Sequence, residues 1–305
     1  MIESLVDTLK GGSYLTLETT PAHLPTMDNI ISKIEKYEFC KHIDGFTTTD
    51  SPLSKLKYNA IMAAIKLQQR FERPVIATMS MRDRNKIALQ SDLLGANDFD
   101  IRGILALTGD PAKMSDQPHV KGVLEGNSNL LLQMIYSFNN GMDYAGKPFS
   151  IEPRHIYPFA VTNSHSKSMK SLQKRLHEKI KNGAVGVISQ PVYDIENAKE
   201  LLRLFEEARA DFDDERGDSQ LILGVFPIVK LRTAQFLKSH VPGIYVPDFW
   251  VDELTTAAKI SEDEERKVGV ELSLDLYKKI KKFHPKIHMM SANNFELANE
   301  LIQRG

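Results

Sequence analysis

Cysteine is nearly absent from this chain. Cys40 is the only one in 305 residues, which excludes an internal disulfide and a zinc–thiolate centre and suits a reducing compartment. An excess of charge of either sign is also missing. The 39 Lys and Arg against 40 Asp and Glu leave a net charge of −1, so no strong field points to nucleic acid or an anionic membrane as partner. No stretch approaches the roughly 18 uninterrupted apolar residues of a membrane-spanning helix. The opening residues MIESLVDTLKGG lack the basic start and apolar run of a secretory signal. The expected setting is the cytoplasm. No GxxxxGK[ST] phosphate loop and no GxSxG nucleophile elbow occurs. The nine histidines show no metal-ligand spacing: His284 and His288 are close in sequence, but Pro285 and a following strand keep them off one helical face. No metal is expected.

What is present is an alternation. Short apolar, partly β-branched runs are predicted as strands at Tyr14–Leu17, Ile43–Thr47, Val75–Met79, Gly103–Leu107, Ile156–Val161, Val185–Ser189, Leu221–Phe226 and Lys286–Met290. Such runs suit strands buried on both faces. Helical patterns lie between them, at Leu56–Arg70, Lys86–Ala96, Met169–Asn182 and Ala198–Ala208, with Gly183 where a C-cap glycine belongs. Strand–helix alternation argues for parallel βαβ units, and eight strands close a (β/α)8 TIM barrel. The rival is a doubly wound open sheet, which would carry a GxGxxG turn after its first strand; here Glu-Thr-Thr-Pro follows instead. No linker rich in Gly, Ser or Pro divides the chain, so residues 1–305 are expected to form a single barrel domain. Two longer insertions stand out. Pro111–Ser150 holds a helix plus extra loop. Pro247–His284 holds a Trp-containing turn, the charged run Ser261–Lys267, read as a solvated helix start, and a long helix.

In such barrels the chemistry gathers just past the C-terminal ends of the strands. That rule selects Glu18; Thr48, Thr49 and Asp50; Arg82, Asp83, Arg84 and Asn85; Thr108, Gly109 and Asp110; Thr162 and Asn163; Gln190; and Ser291 and Asn293. Glu18 and Asp110 are the candidate working carboxylates, since a carboxyl on a partly buried rim can serve as a general acid. Glu18 could instead pair with an arginine, and Asp110 could only shape the Thr-Gly-Asp-Pro turn. Gly109 is either a turn glycine or a place where backbone approaches a flat ligand. Asp83 reads as a helix cap with Arg84 in local ion pairs, while Arg82 stays open. Lys230, beyond Phe226-Pro227, is a weak Schiff-base candidate.

Several of these segments resemble one family. Leu-Thr-Leu-Glu-Thr-Thr-Pro (residues 15–21) resembles the first-strand motif of methylenetetrahydrofolate reductases. Arg82 to Ala96 (RDRNKIALQSDLLGA) is similar to the acetogen-like branch of that family. Ile101 to Pro111 (IRGILALTGDP) is similar to the fourth-strand motif, Gly183-Ala184 with Gln190 to the sixth, and Gly224-Val225-Phe226-Pro227-Ile228 to the seventh. The resemblance runs from about residue 13 to the C-terminus and lies in the ordering of five motifs.

The resemblance implies a (β/α)8 barrel with a flavin, FAD or alternatively FMN, on its C-terminal face. It implies hydride transfer from reduced flavin to 5,10-methylenetetrahydrofolate, giving 5-methyltetrahydrofolate, with NAD(P)H as a possible electron donor. Glu18 then matches the general acid that protonates the folate nitrogen released as the ring opens, a role that needs a desolvated carboxyl. Asp110 matches the carboxylate beside the flavin's pyrimidine side, where it favours a cationic acceptor. Thr49, Thr78, Leu107, Thr108, Gly109, Asp110, Ala160, Thr162 and Lys179 match flavin-contact positions, and Gln190 matches a pterin-binding residue. The resemblance also implies the short form, without the regulatory domain of animal members.

The departures from the pattern are specific. Thr78 replaces a histidine and Thr108 an arginine. Leu231 stands near a stacking phenylalanine, and Met290 and Asn294 stand where tyrosine and arginine would hold the folate tail. Losing that arginine loses a bidentate carboxylate contact. Flavin and acid chemistry are therefore expected, and alternatives remain for the rest: a relative acting on another pterin carrier, electron delivery by a protein partner, or a non-catalytic flavin- or folate-binding subunit. A homo-oligomer or an electron-transfer partner subunit is compatible with each.

Overall fold

The eight apolar runs form eight parallel strands: β1 (Tyr14–Thr19), β2 (Gly45–Thr48), β3 (Val75–Ser80), β4 (Gly103–Leu107), β5 (Tyr157–Thr162), β6 (Gly186–Pro191), β7 (Gln220–Val225) and β8 (Lys286–Met289). Each pairs with the next, and β8 returns to β1 with Tyr14 opposite Lys286 and Leu17 opposite Met289, so the sheet closes. The computed structural model describes all residues from Met1 to Gly305. It is the expected (β/α)8 barrel.

Eleven helices surround or cap it. In chain order they are α1 (Ile2–Gly11), α2 (Asp28–Lys36), α3 (Ala60–Phe71), α4 (Lys86–Asp98), α5 (Ser128–Asn139), α6 (Met169–Lys181), α7 (Ile195–Arg209), α8 (Leu231–His240), α9 (Asp248–Ala258), α10 (Glu262–Phe283) and α11 (Phe295–Arg304). Caps fix several starts. α3 begins at Ala60 rather than at residue 56 because Asn59 Oδ1 accepts the Met62 N–H at 3.0 Å. α4 is capped by Asn85, which accepts from Ala88 N–H, and not by Asp83. The run at Ser261–Lys267 is the expected helix start, with Ser261 Oγ accepting from Glu264 N–H and acids in the first turn, the favourable end for negative charge. Trp250 lies in helix α9 and not in a turn; its ring is buried and its Nε1 donates to the Tyr193 carbonyl.

Two cores result from strand alternation. Outward-facing strand residues such as Leu17, Phe46, Ala77, Ala106, Ala160 and Leu223 join the helices in a core of 60 buried residues, against only 10 in the second cluster, so most packing lies between sheet and helices. The smaller cluster fills the barrel interior with Tyr14, Ile76, Leu105, Phe159, Ile188 and Ile222, and Ile2, Leu5, Val6 and Leu9 of α1 pack beneath them. Helix α1 thus plugs the N-terminal end. Its apolar positions recur at helical spacing, and Glu3 ties it to the barrel by pairing with Arg102 at 2.5 Å. With the lower interior apolar, the polar inward residues Thr16, Glu18, Thr78 and His288 are left toward the C-terminal end.

Candidate active site

A cavity of about 500 Å³ opens at that C-terminal end, lined by residues from strand ends all around the barrel, including Glu18, Thr49, Thr78, Asp110, Thr162, Lys179, Gln190 and His288. Of the residues selected from sequence, Asp50, Arg82, Leu107, Thr108, Gly109 and Asn163 also line it. Others do not. Thr48 donates to the Ala60 carbonyl at 3.0 Å. Asp83 pairs with Arg82, and Arg84 bridges Asp50 at 2.6 Å and Asp92 at 2.7 Å, so Arg84 is spent on ion pairs. Asn85 is a cap, and Asn293 brackets the Thr20 backbone with two hydrogen bonds. Ser291 is buried outside the cavity wall. Ala160 is out of phase: its side chain belongs to the outer core, while Val161 and Thr162 beside it line the cavity. Lys230 is exposed and away from it.

At the β1 wall, Glu18 is partly buried, with its carboxylate 3.8 Å from Nε2 of His288. His288 is buried in β8, and its Nδ1 is hydrogen-bonded with Thr16 Oγ1 at 2.9 Å. Strand alternation places all three side chains inside the barrel. His288 was not selected from sequence because it lies within a strand rather than after one.

At the β4 wall, Asp110 Oδ2 accepts the Leu53 N–H at 2.6 Å. The preceding Gly109 has φ +92°, and a Cβ there would stand 2.3 Å from Ser80 Oγ and 2.8 Å from Arg82 Cβ. Only glycine allows this close packing of the Asp110 loop on β3. Thr108 Oγ1 accepts the Ser128 N–H at 3.1 Å, supplementing the Asn127 cap of α5.

Beside it lies a cationic corner. Lys179 of α6 reaches Ser128 Oγ at the start of α5, and Arg175, one turn earlier on α6, also lines the cavity. Burial without a counter-charge pushes the Lys179 ammonium down to about 8. Cations beside a helix N-terminus make an anion site. Ser128 and Arg175 went unselected because they sit on helices, beyond the reach of a strand-end rule. On the β2 side the Thr49 hydroxyl is buried without a hydrogen-bond partner.

Gln190 reaches the cavity through an irregularity. The β6–β7 register shifts between Ile188 and Pro191, as bulges near active sites commonly do. Ser189 Oγ stitches it, donating to the Gln190 carbonyl at 2.8 Å and accepting from Gly224 N–H at 3.0 Å. Of the departures, Met290 lines the cavity. Asn294 caps α11, accepting from Leu297 N–H at 3.2 Å. Leu231, at the start of α8, packs against the outer core and does not line the cavity.

No group of three or more His, Cys, Asp or Glu side chains is placed to hold a metal ion. No helix is long and apolar enough to cross a membrane.

Comparison with known proteins agrees with the barrel fold. A barrel of similar fold is an uncharacterized protein from Clostridium thermocellum that binds two copies of 5-methyl-5,6,7,8-tetrahydrofolic acid, with 15% identity, a TM-score of 0.64 and coverage of 99% of this chain and 97% of that one. Another is an F420-dependent secondary alcohol dehydrogenase in complex with an F420-acetone adduct, with 10% identity, a TM-score of 0.56 and coverage of 96% and 99%. At these identities the likeness concerns the fold. No curated protein matches. The sequence profile of methylenetetrahydrofolate reductase matches residues 2–305, and the chain belongs to the methylenetetrahydrofolate reductase family.

Proposed function

We propose that this protein is a flavin-dependent reductase of a one-carbon reduced pterin, converting 5,10-methylenetetrahydrofolate to 5-methyltetrahydrofolate within one barrel domain. The observation that carries the reading is the convergence of Glu18, from β1, and Asp110, just past β4, on one cavity that also has a cationic corner.

The chain's own residues fit a flavin. Lys179 and Arg175, beside the start of α5, would hold the phosphate end, FAD being preferred and FMN the alternative. The unpartnered hydroxyl of Thr49 and the groups of Thr78, Leu107, Thr108, Gly109 and Thr162 would contact the remainder. When bound, the flavin would supply the hydride. Glu18 would hold the proton delivered to the pterin nitrogen that leaves the methylene carbon, with His288 orienting its carboxylate through the 3.8 Å contact. Asp110 would place negative charge where the acceptor develops positive charge. Gln190 would hydrogen-bond the pterin edge. A barrel of the same fold that binds 5-methyltetrahydrofolate supports a reduced pterin as ligand.

One observation favours a second reading of the carrier. Asn294 is used as a helix cap and Met290 is apolar, so neither offers a charge to a folate tail, and a different reduced pterin would be accommodated as well. The electron donor is NAD(P)H or a protein.

The test is anaerobic. Purified protein is loaded with FAD or FMN, reduced chemically, and mixed with 5,10-methylenetetrahydrofolate. Stoichiometric reoxidation with formation of the 5-methyl product supports the proposal. A protein that takes up neither flavin, or holds a reduced flavin inert to every one-carbon pterin, would make it a non-catalytic binding subunit.

A further inference from the structure

We propose that the segment Ser51–Ser54 is a positioning device for Asp110, with the main-chain amide of Leu53 as the positioning group and Arg82 as its anchor. The proposal rests on the flavin reading in so far as Asp110 is taken as the carboxylate beside the cofactor.

The segment adopts a backbone that its residues do not favour. Ser51, Leu53 and Ser54 have φ of 44°, 56° and 61°, the left-handed region that a Cβ disfavours. Burial does not explain this, because the Leu53 side chain is exposed. The Ser54 hydroxyl is buried without a partner, a further cost. Such conformations persist where the surroundings over-determine them, and they gather at functional sites.

Here the strained turn delivers one contact into the site. The Leu53 N–H donates to Asp110 Oδ2 at 2.6 Å. The turn is held from the other side by Arg82, whose Nη2 donates to the Ser51 carbonyl at 3.2 Å. Arg82 is itself fixed. Its guanidinium pairs with Asp83, its N–H donates to Ser80 Oγ at 3.1 Å, and its carbonyl accepts from Val123 N–H at 2.7 Å. Gly109 closes the arrangement by packing on Ser80 and Arg82. The Asp110 carboxylate is thus gripped between its own loop and the β2–α3 loop, with Pro52 of the strained turn forming part of the cavity wall. One oxygen is committed to Leu53, and Oδ1 has no hydrogen-bond partner in the chain. The strain is what aims the charge.

Two measurements test this. The first needs no cofactor: hydrogen exchange of the Leu53 amide, followed by NMR in the flavin-free protein. The amide should be protected, and Asp110→Ala or Arg82→Met should each speed its exchange about tenfold or more. An amide that exchanges freely, or that is indifferent to both changes, overturns the proposal. The second compares Leu53→Pro, which removes the N–H and forbids the positive φ, with Leu53→Gly, which keeps the N–H and permits it. The readout is the rate at which 5,10-methylenetetrahydrofolate reoxidises the reduced flavin, measured in chains with Asp110 and with Asp110→Asn. Leu53→Pro should slow the reaction about tenfold more than Leu53→Gly when Asp110 is present, and the difference should collapse in the Asp110→Asn background. Equal effects in both backgrounds would make the turn a packing element only. Failure of the wild-type chain to bind flavin or react with the folate would sink the parent reading instead, and leave the exchange result to stand or fall alone.

Discussion

The imidazole of His288 on β8 joins two residues of the neighbouring strand β1 on the inner face of the barrel, with Nδ1 2.9 Å from Thr16 Oγ1 and Nε2 3.8 Å from the Glu18 carboxylate. The second distance is too long for a hydrogen bond, so the histidine bounds the space available to the Glu18 carboxylate without bonding to it. If Glu18 is the proton donor, replacing it by Gln removes that donor and keeps the shape. Folate-dependent reoxidation should fall about 10²- to 10⁴-fold while flavin content is unchanged. His288→Asn should give a smaller loss of the same kind, about tenfold, because the proton donor remains. Stopped-flow reoxidation of the reduced protein reads both. A Glu18→Gln protein within twofold of wild type would remove Glu18 from the acid role.

On the proposed reading, Lys179 should link flavin binding to pH. Its ammonium is pushed down to about 8 from 10.5 by burial with no carboxylate beside it. The charged form therefore costs the folded protein stability below about pH 8, and that cost is relieved as pH rises from there toward 10.5. A flavin phosphate bound there would supply the missing counter-charge. Flavin affinity should consequently weaken as pH rises through about 8, while the cofactor-free protein gains slightly in stability. Lys179→Met should weaken flavin binding about 10- to 100-fold and flatten the dependence. Fluorescence titration at several pH values gives both quantities, and an unchanged Kd in Lys179→Met would place the phosphate elsewhere.

Helix α1 should matter for stability and little for chemistry. Leu9 is fully buried against the barrel floor, so Leu9→Ala should cost about 2–5 kcal/mol with near-normal flavin affinity. Glu3 adds a pH-dependent part. The Arg102 guanidinium beside it lowers its carboxyl from 4.5 to about 2, so the stabilisation is complete above about pH 4.5 and is lost as pH falls toward 2. Because the Glu3 side chain is nearly half exposed, screening limits the effect to about 1 kcal/mol or less. Denaturant melts of Glu3→Gln and wild type should differ at pH 6 and converge near pH 2. A constant gap would mean the pair is not the cause.

The barrel was readable because its strands are apolar on both faces, and the segments that follow them are polar. The same logic found Glu18, Thr49, Gly109, Asp110 and Gln190, which lie at or just past strand ends. It missed groups that reach the cavity by other routes. His288 lies inside β8, where alternation with Met289 could have placed it inward. Ser128 and Arg175 stand on helices, and Lys179 entered only through the family resemblance. Alternation also separates Ala160 from Val161, one facing helices and the other the cavity. The plug α1 was visible in principle, since Ile2, Leu5, Val6 and Leu9 share one helical face. Local polar competition moved the edges: Asn59 and Asn85 set their helix starts through cap bonds that apolar periodicity does not register.

Gly224 should control the pterin side of the site without touching the flavin side. It lies on β7 against the slipped register of β6, and a Cβ there would stand 2.4 Å from the Ser189 carbonyl and 2.6 Å from Met290 Cε. The methionine can move, but the carbonyl belongs to the bulge that carries Gln190 into the cavity. Gly224→Ala must therefore shift the bulge, at about 1–3 kcal/mol of stability for overpacking. The displaced Gln190 should raise the folate concentration needed for half-maximal reoxidation about tenfold, as expected for losing one hydrogen bond to the substrate. Lys179, Ser128 and Asp110 lie on other elements, so flavin Kd should stay within twofold. Gln190→Leu should reproduce the folate effect with β7 intact, and the two changes combined should be less than additive because they act through one side chain. If Gly224→Ala instead loosens the flavin and leaves the folate dependence alone, the β6–β7 bulge serves the cofactor, and Gln190 is not the residue that reads the pterin.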